Sequence, residues 1–146
     1  VSSPKIEVVR KFGFDAAHRL INHEGKCAWL HGHRYTVHVH LAPKLGLDPV
    51  GRVLDFAVMQ RWIGGWLDEH LDHNTILHEE DGTLAAGIAK FCRGGSPFLL
   101  PYNPTAENIA KFLLDTIAGH LLKGVPVVVT RVVVEETPNC RAEVEI

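Results

Sequence analysis

The stretch His31-Gly32-His33-Arg34-Tyr35-Thr36-Val37-His38-Val39-His40-Leu41 decides how the chain is read. From His33 to Leu41, β-branched and aromatic residues alternate with polar ones, and this period of two predicts a strand with one apolar face. Side chains two apart on a strand point the same way. Tyr35, Val37, Val39 and Leu41 therefore share a face with His31 and His33, while Arg34, Thr36, His38 and His40 take the other. A similar pattern from Ile6 to Phe14 predicts a preceding strand. Downstream, Pro43, Gly46, Pro49 and Gly51 mark a turn, with a short strand expected around Val53.

Beyond the turn the period changes. Asp55 reads as the N-cap of a helix in which Met59, Trp62, Ile63, Trp66 and Leu67 recur at helical spacing toward Leu71. Gly64 and Gly65 each cost a helix interior up to about 1 kcal/mol relative to Ala, a deficit that packing of the two tryptophans is expected to offset. A second helix starts at Thr105, carries Glu107 in its positive first turn, presents Ile109, Phe112, Leu113, Ile117 and Leu121 on one face, and stops at Gly124 and Pro126. The valine-rich run Val127 to Thr137 predicts the last long strand, with a hairpin partner at Arg141 to Ile146. Between the helices, the connection from His78 to Asn103 is long enough to hold a short helix of its own. No repeat or shift in composition divides the chain, so the expectation is one α+β domain over residues 1–146.

Composition excludes several functions. A chain of 146 residues buries roughly two-thirds of the surface it exposes when unfolded, so it needs no metal merely to hold a core. With 15 Lys+Arg against 17 Asp+Glu, a net charge of −2 offers no broad basic surface, and direct nucleic-acid binding is not expected. No apolar run approaches the roughly 18 residues of a membrane span. The stretch Val1-Ser2-Ser3-Pro4-Lys5 lacks a leader's charged-then-apolar layout, which predicts a cytoplasmic protein without a membrane partner. Cys27, Cys92 and Cys140 are odd in number and far apart, which excludes both a disulfide framework and a four-thiolate zinc site.

His31 and His33 stand about 6–7 Å apart at the backbone, so both rings can converge on one ion, and Gly32 leaves room for a third ligand. His18, at the end of the preceding strand, is placed to be that ligand. Three histidines with no fourth protein ligand is the arrangement of catalytic zinc. His-x-His pairs also arise by chance in a chain with ten histidines, and His38 and His40 face away from His31 and His33. Cys27 is open to two readings: a thiolate acting as base or nucleophile beside the metal, or a further ligand that closes the site. Asp72-His73 is either a proton relay or a histidine favourable to the helix dipole. Glu136 shares a face with Val132 and Val134. It either grips a heterocycle's paired N–H groups or reaches water at the strand end, while Glu135 points to the opposite face and is expected to be solvated.

Six segments in order carry a resemblance: Phe12-Gly13-Phe14-Asp15-Ala16-Ala17-His18-Arg19-Leu20, Cys27-Ala28-Trp29-Leu30-His31-Gly32-His33, Val53-Leu54-Asp55-Phe56, Leu71-Asp72-His73-Asn74, Asn103-Pro104-Thr105-Ala106-Glu107-Asn108 and Glu136-Thr137. Together they resemble the 6-pyruvoyltetrahydropterin synthase family, and within it the 6-carboxytetrahydropterin synthases of queuosine biosynthesis. The resemblance implies a T-fold: an antiparallel four-stranded sheet with two helices on one face, joined between subunits into an oligomeric barrel. The homo-oligomer would be trimer-based, a hexamer, with active sites between subunits. It also implies a lyase acting on 7,8-dihydroneopterin triphosphate. His18, His31 and His33 would hold one zinc ion per subunit, Cys27 would be the general base, and Asp72 and His73 would assist proton transfer. Glu136 would grip the pterin, with Thr105, Glu107 and Thr137 nearby, and Lys26 is added here as a triphosphate contact. The product would be 6-carboxy-5,6,7,8-tetrahydropterin with acetaldehyde and triphosphate released. The short spacing from Cys27 to His31 favours this outcome over the pyruvoyl-forming one. The segment at about 79–101 departs from the family pattern as an insertion, which keeps a non-catalytic zinc- or pterin-binding oligomer as the rival from another class.

Overall fold

Where alternation is most regular, the longest ladder forms. Strand β1 (Val8–His18) pairs antiparallel with β2 (His31–Pro43), setting His18 opposite His31 and Ala16 opposite His33. This computed structural model describes residues 3–146, so Val1 and Ser2 of the expected single domain and of the leader argument lie outside the described residues. Both strands run longer than their apolar patterns, because backbone pairing continues through His18 and His31 after the alternation of hydrophobic residues has ended.

On the other side of β2 lies β5 (Val127–Thr137), which forms a hairpin with β6 (Cys140–Glu145). Two further strands, β3 (Asn74–His78) and β4 (Phe98–Leu100), extend the sheet beyond β1. The sheet thus has six strands in the order β4-β3-β1-β2-β5-β6, and the β1–β3 and β3–β4 pairs are parallel. This corrects the expected four-stranded antiparallel sheet: the two added strands come from the segment after His73 and from the 79–101 segment. The short strand expected near Val53 is absent as well. There the Asp48 carboxylate accepts hydrogen bonds from the Val50 and Arg52 amides at 2.9 Å each, holding those groups in a turn instead of a ladder.

One face of the sheet is covered. Phe12, Phe14, Tyr35, Val37, Val39, Leu41, Val132 and Val134 pack against Met59, Ile63, Ile109, Leu113 and Ile117 from the helices. The first helical stretch begins as α1 (Phe56–Met59), with the Asp55 carboxylate accepting from the Ala57 amide at 2.8 Å. It widens into a π-turn over Gln60–Gly64 and continues as α2 (Gly65–His70). Its glycines are offset differently from expectation. Trp62 is 40% exposed, and the stripe Met59, Ile63, Leu67 and Leu71 supplies the burial instead. Of the two tryptophans, Trp66 contributes by stacking on His70 and meeting Phe98 and Phe112. The helix α4 (Ala106–Thr116) begins where expected, with Thr105 Oγ1 accepting from the Asn108 amide at 3.1 Å. The 79–101 segment holds the short helix α3 (Gly82–Ile88), none of whose side chains is buried. Among the described residues, no helix is long and apolar enough to cross a membrane.

Candidate metal and substrate site

Antiparallel register brings three imidazoles together at one end of the covered face. The ligand nitrogens of His18, His31 and His33 all lie within 4.8 Å of one another. His18 is almost fully buried and its Nδ1 lies 2.8 Å from the Pro104 carbonyl, while His31 Nδ1 lies 2.6 Å from the Trp29 carbonyl. A carbonyl oxygen only accepts, so in both rings Nδ1 carries the proton and Nε2 presents a lone pair. Those two lone pairs stand 3.0 Å apart. Burial also drives the His18 pKa down, to about 4, with the neighbouring histidines adding to the shift and the Pro104 carbonyl opposing it. A neutral His18 cannot donate through Nε2, so the close pair has the character of a cation site rather than a hydrogen bond between rings.

His33 supports the same conclusion. Its Nε2 is buried without a hydrogen-bond partner, and burial lowers its pKa, although the Glu136 carboxylate pulls the other way. Tetrahedral zinc, with Zn–N near 2.0–2.1 Å, spaces its nitrogen ligands about 3.4 Å apart, within the range these rings span. Gly32 lies between the two ligand histidines, where a Cβ would come within 3.4 Å of the Ala16 carbonyl. The three histidines therefore fit a dication through neutral imidazole nitrogens.

Around the cluster, Glu136 follows Val132 and Val134 onto the covered face and so lies toward the histidines, where the β5–β6 register shifts between Glu135 and Thr137. Its carboxylate oxygens lie 4.0 Å from His18 Nε2 and 3.9 Å from His33 Nε2. Glu135, expected to be solvated, instead meets His38 Nε2 at 2.5 Å. Cys27 sits half-buried in a tight turn over Lys26–Ala28, its carbonyl accepting from the Leu20 amide at 2.8 Å. Among the described residues the three-histidine cluster forms without Cys27. Lys26 and Glu107 are exposed, Thr105 caps α4, and Thr137 Oγ1 accepts from the Asn139 amide at 3.2 Å.

Asp72 and His73 do not join this cluster. They group with Asp15, whose amide donates to Asp72 Oδ1 at 2.9 Å and whose carbonyl accepts from the His73 amide at 2.7 Å. Asp72 Oδ2 lies 2.8 Å from His73 Nδ1, and His73 has the left-handed backbone angle φ 55°. Burial alone would raise the Asp72 carboxyl, yet the Asp15 amide and His73 ring outweigh it and hold its pKa below the usual value. Asp15 points away from the covered face that buries Phe14, Ala16 and His18. The Asp72–His73 hydrogen bond is formed, but the pair belongs to the opposite side of β1.

Residues 7–146 match the family model described as 6-pyruvoyl tetrahydropterin synthase. The chain belongs to that family. A relative from Rickettsia bellii, named 6-carboxy-5,6,7,8-tetrahydropterin synthase, is 41% identical over 139 residues, covering 95% of this chain and 99% of its own. Among solved structures, an uncharacterised protein from Wolinella succinogenes superposes with a TM-score of 0.82 at 28% identity, covering 98% of this chain and 99% of that one. The 6-pyruvoyl tetrahydropterin synthase of Caenorhabditis elegans follows with a TM-score of 0.69 at 25% identity, over 98% and 96% of the two chains. These neighbours give the chain the T-fold of its family, here carried on a six-stranded sheet.

Two features of this family member escaped the sequence. Tyr35 is wholly buried, stacks on Phe14 at 4.9 Å, and has a hydroxyl with no hydrogen-bond partner. Burial, with Glu136 and Cys27 as charge neighbours, pushes its ionisation well above the ordinary range. Its place on the histidine face was readable, but its unpaired oxygen was not. The second feature is Asp81, buried in the 79–101 segment and gripped by Arg19. No motif pointed to that pair.

Proposed function

We propose that the protein is a zinc-dependent lyase that converts 7,8-dihydroneopterin triphosphate and one water into 6-carboxy-5,6,7,8-tetrahydropterin, acetaldehyde and triphosphate. The observation that carries this reading is the pair of facing Nε2 lone pairs of His18 and His31 at 3.0 Å, with His33 Nε2 buried and unpartnered beside them. The product follows the name of the Rickettsia bellii relative, and the short Cys27-to-His31 spacing agrees with it. Queuosine biosynthesis is the pathway that the reading implies.

His18, His31 and His33 would hold one zinc ion, which when bound supplies Lewis acidity toward the substrate's side-chain oxygens and so acidifies the adjacent C–H. Cys27, outside the ligand set, is left free to take that proton as general base. Glu136 accepts the paired N–H groups of the pterin, a bidentate geometry suited to a carboxylate, and lies on the metal side of the sheet. Thr105 and Thr137 accept local amide hydrogen bonds through their hydroxyls, which leaves each O–H free to donate, so with Glu107 they would contact the substrate near Glu136. Lys26, exposed beside Cys27, would contact the triphosphate.

Asp72 and His73 return or remove the second proton. Since they face away from the histidine cluster of their own chain, they would serve the cluster of a neighbouring subunit. The exposed outer strands β4 and β6 give assembly a physical motive. Incubation with 7,8-dihydroneopterin triphosphate tests the reading: acetaldehyde should appear in step with triphosphate and cease with chelator. Triphosphate without acetaldehyde would favour the pyruvoyl-forming reaction.

A further inference from the structure

Among the described residues, two polar or charged side chains are buried, His18 and Asp81, and Asp81 at 6% exposure has no part in the chemistry above. A buried carboxylate needs a partner that satisfies both oxygens, and Arg19 provides one. Its Nε donates to Asp81 Oδ2 at 2.6 Å and its Nη2 to Oδ1 at 2.8 Å. The remaining arm, Nη1, donates to the Ala28 carbonyl at 3.1 Å. Arg19 follows His18 directly, and Ala28 follows Cys27. One guanidinium thus joins the end of β1, the turn that carries the thiol and the 79–101 segment.

What else holds that segment against the turn is slight. No side chain of α3 is buried, and a cleft of about 570 Å³ lined by Trp29, Leu30, Leu84 and Ile88 separates the helix from the loop. Asp81 itself is fixed from behind, its amide donating to the His78 carbonyl at 2.9 Å while the Glu79 amide donates to the Leu100 carbonyl at 2.7 Å. Those bonds anchor Asp81 to β3 and β4, so its carboxylate is a rigid post. A fork of two parallel bonds fixes direction as well as distance, which a lysine would not reproduce.

We propose that Arg19 and Asp81 are a positioning pair that sets the Cys27 turn relative to the histidine cluster, and that the 79–101 segment serves catalysis by delivering Asp81. This inference rests on the general-base role proposed for Cys27. Arg19→Lys keeps the charge and removes the fork. Asp81→Asn keeps the shape and removes the charge, and the double variant Arg19→Met/Asp81→Leu replaces the pair with apolar bulk that can fold without it. For each, in the full chain, kcat, KM, zinc content and the alkylation rate of Cys27, followed on its own peptide by mass spectrometry with iodoacetamide, are compared with the parent.

The expected result is kcat lowered about 10- to 100-fold, as misplacement of a reacting group produces, with KM and zinc content within about twofold of the parent and the Cys27 alkylation rate changed at least about threefold. Variants that differ from the parent only in melting temperature, with kcat and alkylation unchanged, would show a purely structural pair and overturn the inference. Loss of kcat in proportion to lost zinc would overturn it too. If the parent itself makes no acetaldehyde, the proposed function fails, while the alkylation rates still report whether the pair positions Cys27.

Discussion

The histidine cluster and the Asp72–His73 pair lie on opposite sides of β1, three residues apart in register, and they are built in contrasting ways. His18 has 1% of its side chain exposed and a carbonyl holding its Nδ1, whereas His73 has 71% exposed and extends from a left-handed backbone position. The first is centred on buried His18, with His31 and His33 half-buried, and is ordered by contacts within the chain. The second has its Nδ1 side fixed by Asp72 while the rest of the ring faces outward. The difference is that one chain gathers its three histidines by itself but leaves the Asp72–His73 pair turned outward, and under the proposed function a second copy is the simplest object to receive that pair.

The largest expected effect comes from breaking the buried half. His31→Ala should lower zinc from about one per chain to below about a tenth and activity to background, because two histidines leave the ion without its tetrahedral set. Metal analysis after gentle purification checks it, and zinc retained at parent level would break the assignment. Next is Cys27→Ala, which should keep zinc and lower turnover about 10²- to 10⁴-fold, the range of a general base. Loss of the zinc together with turnover would instead make Cys27 a ligand.

Burial also predicts how the two regions respond to acid. His18 titrates near 6.5 when unfolded and about 4 when folded. Between those values the unfolded chain binds the extra proton, so the stability of chelated protein is full above about pH 6.5 and falls as pH drops toward 4. The shift corresponds to about 3 kcal/mol at most. Urea titrations at pH 7 and pH 4.5 measure it, and His18→Gln should flatten that part of the profile. The smallest effect is at Tyr35: removing its unpaired hydroxyl as Tyr35→Phe should stabilise the chelated protein by about 1 kcal/mol, since a buried donor without a partner is costly. A lower melting temperature would mean that the hydroxyl has a partner in solution.

These contrasts also mark what can be read from sequence. The His31 and His33 pair was legible because period two places both on the face of Val37 and Val39, and His18 followed once an antiparallel neighbour was assumed. The caps Asp55 and Thr105 were legible from local chemistry alone. β3 and β4 were not, because Thr75-Ile76-Leu77 and Phe98-Leu99-Leu100 are too short for a period to emerge. That omission hid where the Asp72–His73 pair docks on β1, since Asn74 pairs with Ala16 through a parallel contact far apart in sequence. The tryptophan expectation held for Trp66 and failed for Trp62 for a related reason: helical spacing gave Trp62 and Ile63 equal claim to the core, and the π-turn buries Ile63.

The division of the site between copies is the central claim, and subunit mixing tests it most directly. His31→Ala protein lacks the cluster and His73→Ala protein lacks the relay, so each alone should be nearly inactive. After the two are mixed one to one, dissociated and reassembled, sites pairing an intact cluster from one chain with an intact His73 from another should form at random. Activity should then return to roughly a quarter of the parent's. A mixture that stays as inactive as its components, although mass spectrometry shows that both chains share one oligomer, would contradict the account.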